Sequence, residues 1–586
     1  MAEVACYQMW VAGEERPGKG ELIPIENPAT GEIFATCHAA SEEDINNTVA
    51  MAQAAFKSGV WSRESRHRRA DVLDKSATLL EAELPELIAL EVRQTGRAVR
   101  EMKAQVPSLV RWLKYYASLL RVEERPLLPT IGKLHNFVDR VPLGVVVQIT
   151  PFNHPLLIAV KKLAPALAAG NSVIVKPSEL TPLTTLKLGA ILKAAGLPDG
   201  VFNVLPGYGA LTGKALVSHP LVRKVDVTGG EAAGRAIGAL VGGNLARYTA
   251  ELGGKAPLIV FSSADIRVAV NGIAFGSFIA SGQTCIASTR IIVDNKIFDA
   301  LLETLKGKTE SIAKRMGAPT NPDSMMGPLV SAKQLRNVEK LVDEAVESGA
   351  TKVVTGGKRM SGVSALDGTN FSRGYFYEPT VLVQAAIPRE KFQRTAIWRK
   401  EIFGPVIVVV GFDTEEEALE LANDSEYGLG AGIGPKTCRR LFAYAGITWV
   451  NTHHRNDPSS PWGGSKTSSG LGVENGVEAY QAYTTAKSTI ISYASTEEAF
   501  VSDDWFRDSP GAVSPAAPHK PESGHGRREQ QPKQRPLDKL EDLWCPLWRK
   551  IPVAVFVCPD QCKQADGYAK YDWEENDGKD KTSDGL

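Results

Sequence analysis

From residue 143 onward, short apolar runs and helical segments alternate without interruption. GVVVQI (144–149) precedes a helical stretch, HPLLIAVKKLAPALAAG (154–170), that Gly170 ends. NSVIVKPSE (171–179), VFNVLPG (201–207) and VRKVDVTGG (222–230) read as further strands. Helices are predicted between them at 183–196 and 210–218, and after them at 230–243. YTAELGGKAPLIVF (248–261) reads as one more strand. The runs are rich in β-branched residues and lack polar alternation, as in strands buried on both faces. A β-α-β-α succession of this kind predicts a parallel sheet with helices on both sides, in outline a doubly wound nucleotide-binding architecture.

The rest of the chain surrounds that unit. LIPIENPATGEIFATCH (22–38) reads as a hairpin, and Ser41 with Asp44 as a capping start to a helix. Residues 63–93 and 97–121 carry helical periodicity, whereas 124–142 reads as a loop and an extended arm. A second α/β unit follows from about 254, with helices at 265–281, 297–315, 331–348 and 414–425. Its strands are expected at 288–294, 351–356, 377–383, 404–411 and 446–452. A short helix at 470–482 and a strand at 487–494 close the regular pattern. Beyond 497 the composition turns rich in Pro, Gly, Ser and charge, and disorder is expected over 497–586.

With 586 residues the chain is too long for one core. A formal net charge of zero gives no basic field for nucleic acid or an anionic membrane. No apolar run approaches the roughly 18 residues that span a bilayer. The first twenty residues resemble neither a secretory nor a transit signal. Seven cysteines are too few for a disulfide scaffold, so a reducing, cytoplasmic setting is expected. Cys545, Cys558 and Cys562 lack a neighbouring His, and no metal is expected.

One cysteine stands apart. Cys285 lies in GSFIASGQTCIASTR (276–290) among small and hydroxyl residues, which suit a thiol that must be closely approached. A buried structural cysteine fits that stretch equally well. Five other patterns bear on the choice, each with an ordinary structural meaning of its own. TPFNHP (150–155) joins a strand to a helix and offers the Asn153 amide to an oxyanion, or to a helix cap. KPSE (176–179) ends a parallel strand, where Lys176 and Glu179 could hold ribose hydroxyls. TGGEAAG (228–234) is a Gly-rich entry to a helix suited to a pyrophosphate, though not the three-glycine fingerprint. ELGGK (251–255) puts Glu251 at a strand end beside two glycines, and EIFGP (401–405) precedes another strand.

In this order, with GQTC (282–285) between the last two, these patterns resemble the aldehyde dehydrogenase superfamily. IENPATGEIFA (25–35), PALAAGNSVIVKPSE (165–179), EPTVL (378–382), YGLGAGI (427–433) and PWGGSKTSSGLG (461–472) extend the resemblance over about 8–494. It implies an α/β fold with a Rossmann-like cofactor domain, a second α/β catalytic domain and a small β oligomerisation arm. The implied boundaries are 1–123 with 143–251 for the cofactor domain and 252–446 for the catalytic domain. Residues 124–142 with 486–494 would form the arm, and 447–485 the return to the cofactor domain and an entrance loop. A homodimer or homotetramer is expected.

Residue by residue, the resemblance makes Cys285 the nucleophile, Glu251 the base that activates water, and Asn153 an oxyanion donor. Ile149, Thr150, Lys176, Ser178, Glu179, Gly229, Gly230, Gly234, Leu252, Glu401 and Phe403 match the cofactor site. A carboxylate at Glu179 favours a free 2′-hydroxyl, so NAD is expected over NADP. Lys162 matches a lysine near the reaction centre, as a proton relay or a structural ion pair. His154, Ile158, Lys161, Thr284, Ile286, His454, Arg455 and Trp462 match the substrate path. With His453, several of these offer positive or hydrogen-bonding groups, which points to a polar or anionic aldehyde, such as a phenolic aromatic of specialised metabolism. Glu251 favours hydrolysis of the acyl-enzyme over transfer to coenzyme A. An impaired scaffold, or a thioester hydrolase without redox, could use the same residues. Two stretches depart from the family: 383–400 is longer than usual and 434–446 shorter, by about two helical turns.

Overall fold

The computed structural model describes residues 4–433, 445–503 and 506. Most of 434–446, all of 507–586 and the cysteines at 438, 545, 558 and 562 therefore lie outside the described residues. Chain contacts divide after Val501, and the account below concerns the first unit.

Two large sheets carry the fold. The first has eight strands. Its five parallel members run, in spatial order, Arg247–Glu251, Val222–Thr228, Val145–Ile149, Ser172–Lys176 and Phe202–Val204. Short antiparallel strands flank them, Gly470–Leu471 on one edge and the ribbon Met9–Val11 with Glu14–Arg16 on the other. The register aligns Ile149 with Lys176 and with Val227, and Thr228 with Glu251. Those carboxyl ends form one row, the position at which open α/β sheets bind ligands.

The second sheet has seven strands, in the order Thr351–Thr355, Thr380–Gln384, Val406–Phe412, Ser288–Asp294, Ala256–Val260, Gly430–Ile433 and Ile447–Val450. All pair in parallel except the first. Its last strand lies beyond residue 446.

The expected single strand at 248–261 is instead two strands in two sheets. Gly253 and Gly254 make the crossing. A Cβ on Gly254 would lie 2.0 Å from the Cys285 carbonyl oxygen, and one on Gly253 2.6 Å from Glu401 Oε2. Only glycine lets the backbone pass between those groups.

Other departures are local. The two long helices expected at 63–93 and 97–121 are broken into Arg66–Ala82, Leu84–Thr95, Val99–Gln105 and Val110–Val122. Pro85 sits in a first turn and Pro107 in the intervening 3₁₀ turn, positions where a missing N–H is tolerated. The long 383–400 stretch is folded in: Phe392, Ile397 and Trp398 are buried, and Trp398 Nε1 donates to Asp424 Oδ2 at 2.9 Å. Disorder expected from 497 gives way to a helix at Thr496–Asp503. The hairpin and the capping box at Ser41 are present as read. The arm strand Leu134–Pro142 pairs antiparallel along its whole length with Thr484–Ser492 and carries Leu127–Leu128 on its other side.

Candidate active site

The helix Pro155–Ala168 is packed on nearly every side, so its adjacent lysines, Lys161 and Lys162, are both buried. Buried ammonium groups need counter-charges. Glu474 supplies one for both: Lys161 Nζ lies 2.7 Å from Oε2, and Lys162 Nζ reaches Oε1. Lys162 also pairs with Asp226 Oδ1 at 2.5 Å. Burial works against this carboxylate, but the two lysines hold Glu474 well below the usual range. Lys162 thus sits in a buried ion pair with both carboxylates. Glu474, which links the helix to the chain after 470, carried no signal in the sequence.

The same helix begins beside Asn153. It has no side-chain cap of its own; Glu91 Oε1 takes the Leu156 N–H at 2.9 Å from another helix. Asn153 is buried, and its Nδ2 donates to the Gln283 carbonyl at 2.8 Å, two residues before Cys285. That amide nitrogen has a second hydrogen, and Asn153 Oδ1 has no partner.

Cys285 is presented by an unusual turn. The helix Ile266–Phe278 runs into Ala280 (φ 54°, ψ 28°), Ser281 (φ 55°, ψ 35°) and Gly282 (φ 70°). Left-handed conformations cost an L-residue about 1–2 kcal/mol each. Neighbours hold them: Glu101 accepts the Ala280 N–H, Ser281 Oγ donates to Gly327 O at 2.8 Å, and Gln283 Oε1 accepts the Val330 N–H at 3.0 Å. Gly282 is required, since a Cβ there would lie 2.1 Å from the Gly404 carbonyl oxygen.

Cys285 is half-buried and bonded to no other cysteine, and its thiol and the Glu251 carboxyl influence each other electrostatically. Burial, then the Glu251 charge, pushes the thiol well above its ordinary value. Burial, helped by Glu474, raises Glu251 to about 6, and its Oε1 has no partner. A carboxyl near neutrality beside a thiol is the pairing that general-base chemistry calls for.

Most of the expected cofactor residues follow the first sheet's carboxyl row, whereas Glu401 and Phe403 precede the second-sheet strand Val406–Phe412. Lys176 is buried and reaches Glu179 Oε2 at 3.4 Å, while Glu179 stays partly exposed. Ile149 is paired beside Lys176, Ser178 accepts the Leu180 N–H, and Thr150 Oγ1 is buried without a partner. Gly230 caps the helix Glu231–Gly243, and a Cβ there would meet nothing within 4 Å, which leaves the helix start open. Gly234 serves packing instead: a Cβ there would lie 2.4 Å from the Leu252 side chain. A Cβ on Gly229 would find only one side-chain atom, at 4.0 Å, and its N–H donates to the Glu251 carbonyl. Glu401 accepts the Gly254 N–H at 2.9 Å, and burial pushes its carboxyl up to about 8. Phe403 (φ 55°) meets Phe152 edge to face at 5.6 Å. An open helix start, the Lys176–Glu179 pair and an aromatic wall fit a nicotinamide dinucleotide.

The expected substrate residues divide. Ile286 and Trp462 are buried with Leu429 and Trp449 in a cluster against Cys285, and Thr284 and Ile158 are buried. Lys161 lies 4.3 Å over the Trp462 ring, but Glu474 engages its charge. His154 Nδ1 lies 2.6 Å from Arg97 Nη1, and burial, then Arg97, holds the ring neutral. His454 Nε2 bonds the Gly276 carbonyl, and burial lowers it to about 4. His453 is buried against Ser288 Oγ and Trp449. Arg455 is exposed, and its Nε turns to Thr452. Of the positive or hydrogen-bonding groups expected here, the structure keeps the hydrogen-bonding ones and removes most of the charge. The lysine is neutralised, the histidines are uncharged, and only Arg455 presents a charge, at the surface.

A thiol and a buried carboxyl thus lie beside the carboxyl row of a dinucleotide-type sheet that is accompanied by a second α/β sheet. Residues 13–489 match the aldehyde dehydrogenase family, and the chain belongs to it. Solved relatives share the fold. PnpE from Pseudomonas sp. WBC-3 is 37% identical, with 83% of this chain and 98% of that one covered at a TM-score of 0.78. Betaine aldehyde dehydrogenase from Staphylococcus aureus, in complex with NAD+, is 33% identical, covering 83% and 95% at 0.78. An aldehyde dehydrogenase from Bacillus cereus, in its NAD+ complex, is 33% identical, covering 83% and 97% at 0.77. Membership supports an enzyme that oxidises aldehydes with a nicotinamide cofactor.

Proposed function

We propose that this protein oxidises an aldehyde to its carboxylic acid with NAD, through a thioester on Cys285 that Glu251 resolves with water. The observation that carries the reading is the Asn153 amide on the Gln283 carbonyl, two residues from Cys285, with the Glu251 charge acting on that thiol. Glu251 takes the Cys285 thiol proton and releases it to solvent, and Sγ adds to the carbonyl carbon. The resulting oxyanion is met by the free Asn153 N–H and the Cys285 backbone N–H, donors of a kind whose loss costs about 3–4 kcal/mol of barrier. A bound NAD supplies the two-electron oxidation. Glu251 then takes a proton from water, and hydroxide displaces Sγ from the acyl carbon. Lys176, Glu179, the helix start at Gly230 and Glu401 would hold the cofactor, and the Glu179 carboxylate supports NAD over NADP.

The substrate inferred here is polar but uncharged, with a phenolic aromatic aldehyde the leading candidate. Neutral His154 and His454 offer hydrogen bonds, and Ile286, Trp449 and Trp462 an apolar wall. We infer a homo-oligomer, since the strand Thr484–Ser492 leaves Ile490 and Ile491 exposed, and a cytoplasmic setting from the sparse cysteines. Among the described residues no helix is long and apolar enough to cross a membrane.

NADH formation across hydroxybenzaldehydes, carboxylated semialdehydes and plain aliphatic aldehydes tests this, with Cys285→Ala as control. Highest kcat/KM for the hydroxybenzaldehydes is expected, and no NADH from the variant. NADH from Cys285→Ala sinks the mechanism, an aliphatic preference sinks the substrate class, and acid released from a thioester or ester, with no NADH from any aldehyde, makes the protein a hydrolase.

A further inference from the structure

Two segments meet at the candidate site: 153–155, which carries Asn153, and 279–285, which carries Cys285. They are far apart in sequence, and a third segment touches both. The Ala280 N–H donates to both oxygens of Glu101, at 3.1 Å each. Arg97 Nε and Nη2 donate to Glu101 Oε2 at 3.2 and 3.1 Å. Arg97 Nη1 donates to Gln105 Oε1 at 2.7 Å and lies 2.6 Å from His154 Nδ1, next to Asn153. Arginine is always a donor, so His154 Nδ1 accepts. Asn153 Nδ2 closes the circuit on the Gln283 carbonyl, and the Gln283 N–H bonds Ala280 O at 3.0 Å. Both charged side chains are enclosed, Arg97 at 2% and Glu101 at 10% exposure.

The Ala280 bond falls on the first residue of the left-handed turn, where the Ile266–Phe278 helix has ended. A strained conformation persists only where its surroundings over-determine it. Glu101 accepts there with both oxygens, and Arg97 fixes its carboxylate.

We propose that Glu101, oriented by Arg97, is a positioning residue that holds the turn 280–282 and thereby sets the Cys285 thiol against Asn153 and Glu251. The proposal rests on Cys285 being the nucleophile. Glu101 touches no reacting atom; it acts through the backbone of Ala280. Misplacing a reacting atom by an ångström costs about 100-fold in rate, so a large effect on turnover with little on binding is expected.

The test uses the full chain and two readouts: steady-state kinetics, and the rate of iodoacetamide alkylation at Cys285 as a function of pH, located by peptide mass spectrometry. In Glu101→Ala, kcat falls about 10- to 100-fold with KM within about twofold, and the alkylation profile shifts from wild type. Glu101→Gln, which keeps an oxygen for the Ala280 N–H, recovers most of both. Where Glu101→Ala does not fold, Glu101→Asp shortens the reach by one methylene and should show the same paired effect. Wild-type kcat and alkylation in Glu101→Ala or Glu101→Asp overturn the proposal, as does a Glu101→Gln as impaired as Glu101→Ala. Turnover surviving Cys285→Ala would instead overturn the reading of the site. Alkylation needs no turnover and reports the turn in either case.

Discussion

At the residue scale, the site sets a thiol and a carboxyl against each other. Burial and Glu251 raise Cys285, while burial and Glu474 raise Glu251 to about 6. The signs follow from electrostatics: a neighbouring anion disfavours the thiolate, and a neutral neighbour does not. Glu251→Gln should therefore lower the apparent thiol pKa and speed iodoacetamide alkylation of Cys285 at neutral pH, while hydrolytic turnover falls by about 100-fold or more. Unchanged alkylation would mean the two groups do not interact. A base works deprotonated, so the hydrolytic rate should fall as pH drops through about 6 and level off above it. Acid-quench measurement of acyl-enzyme against pH checks this, since acyl-enzyme should accumulate on the acid side.

At the element scale, the capping box at Ser41 and the inserted 383–400 stretch make opposite cases. Ser41 was legible because its pattern is local: Oγ takes the Asp44 N–H, and Asp44 takes the Ser41 N–H. Ser41→Ala should cost about 1 kcal/mol. The 383–400 stretch could be read only as surplus length, because what it packs against is distant in sequence. Trp398 fills the core of the second sheet and reaches Asp424. Trp398→Ala should cost about 3–5 kcal/mol in urea unfolding. A change below 1 kcal/mol would show the stretch to be dispensable packing.

At the scale of the whole molecule, the buried charges tie distant segments together. Glu474 joins Lys161 and Lys162, Asp226 joins Lys162, and Tyr483 Oη donates to Asp226 Oδ2 at 2.5 Å just before the arm strand. Removing one member of such a set leaves buried charge without compensation, at about 3–5 kcal/mol. Glu474→Ala should destabilise by that order, whereas replacing the set with matched apolar residues should not. A denaturation midpoint unmoved in Glu474→Ala would remove Glu474 from the fold's support.

What the sequence determined by itself is whatever short-range pattern encodes. The parallel strands and their helices followed from apolar periodicity, and the candidate site residues from short motifs and the family they resemble. Tertiary structure decided what depends on proximity between remote segments. It split 248–261 across two sheets, because Gly253 and Gly254 must pass Cys285 and Glu401. It also decided which of the expected positive or hydrogen-bonding groups carry an available charge, since charge at His154 or Lys161 depends on Arg97, Glu474 and burial. Solvation and counter-charge are properties of a three-dimensional neighbourhood, and spacing along a chain does not encode them.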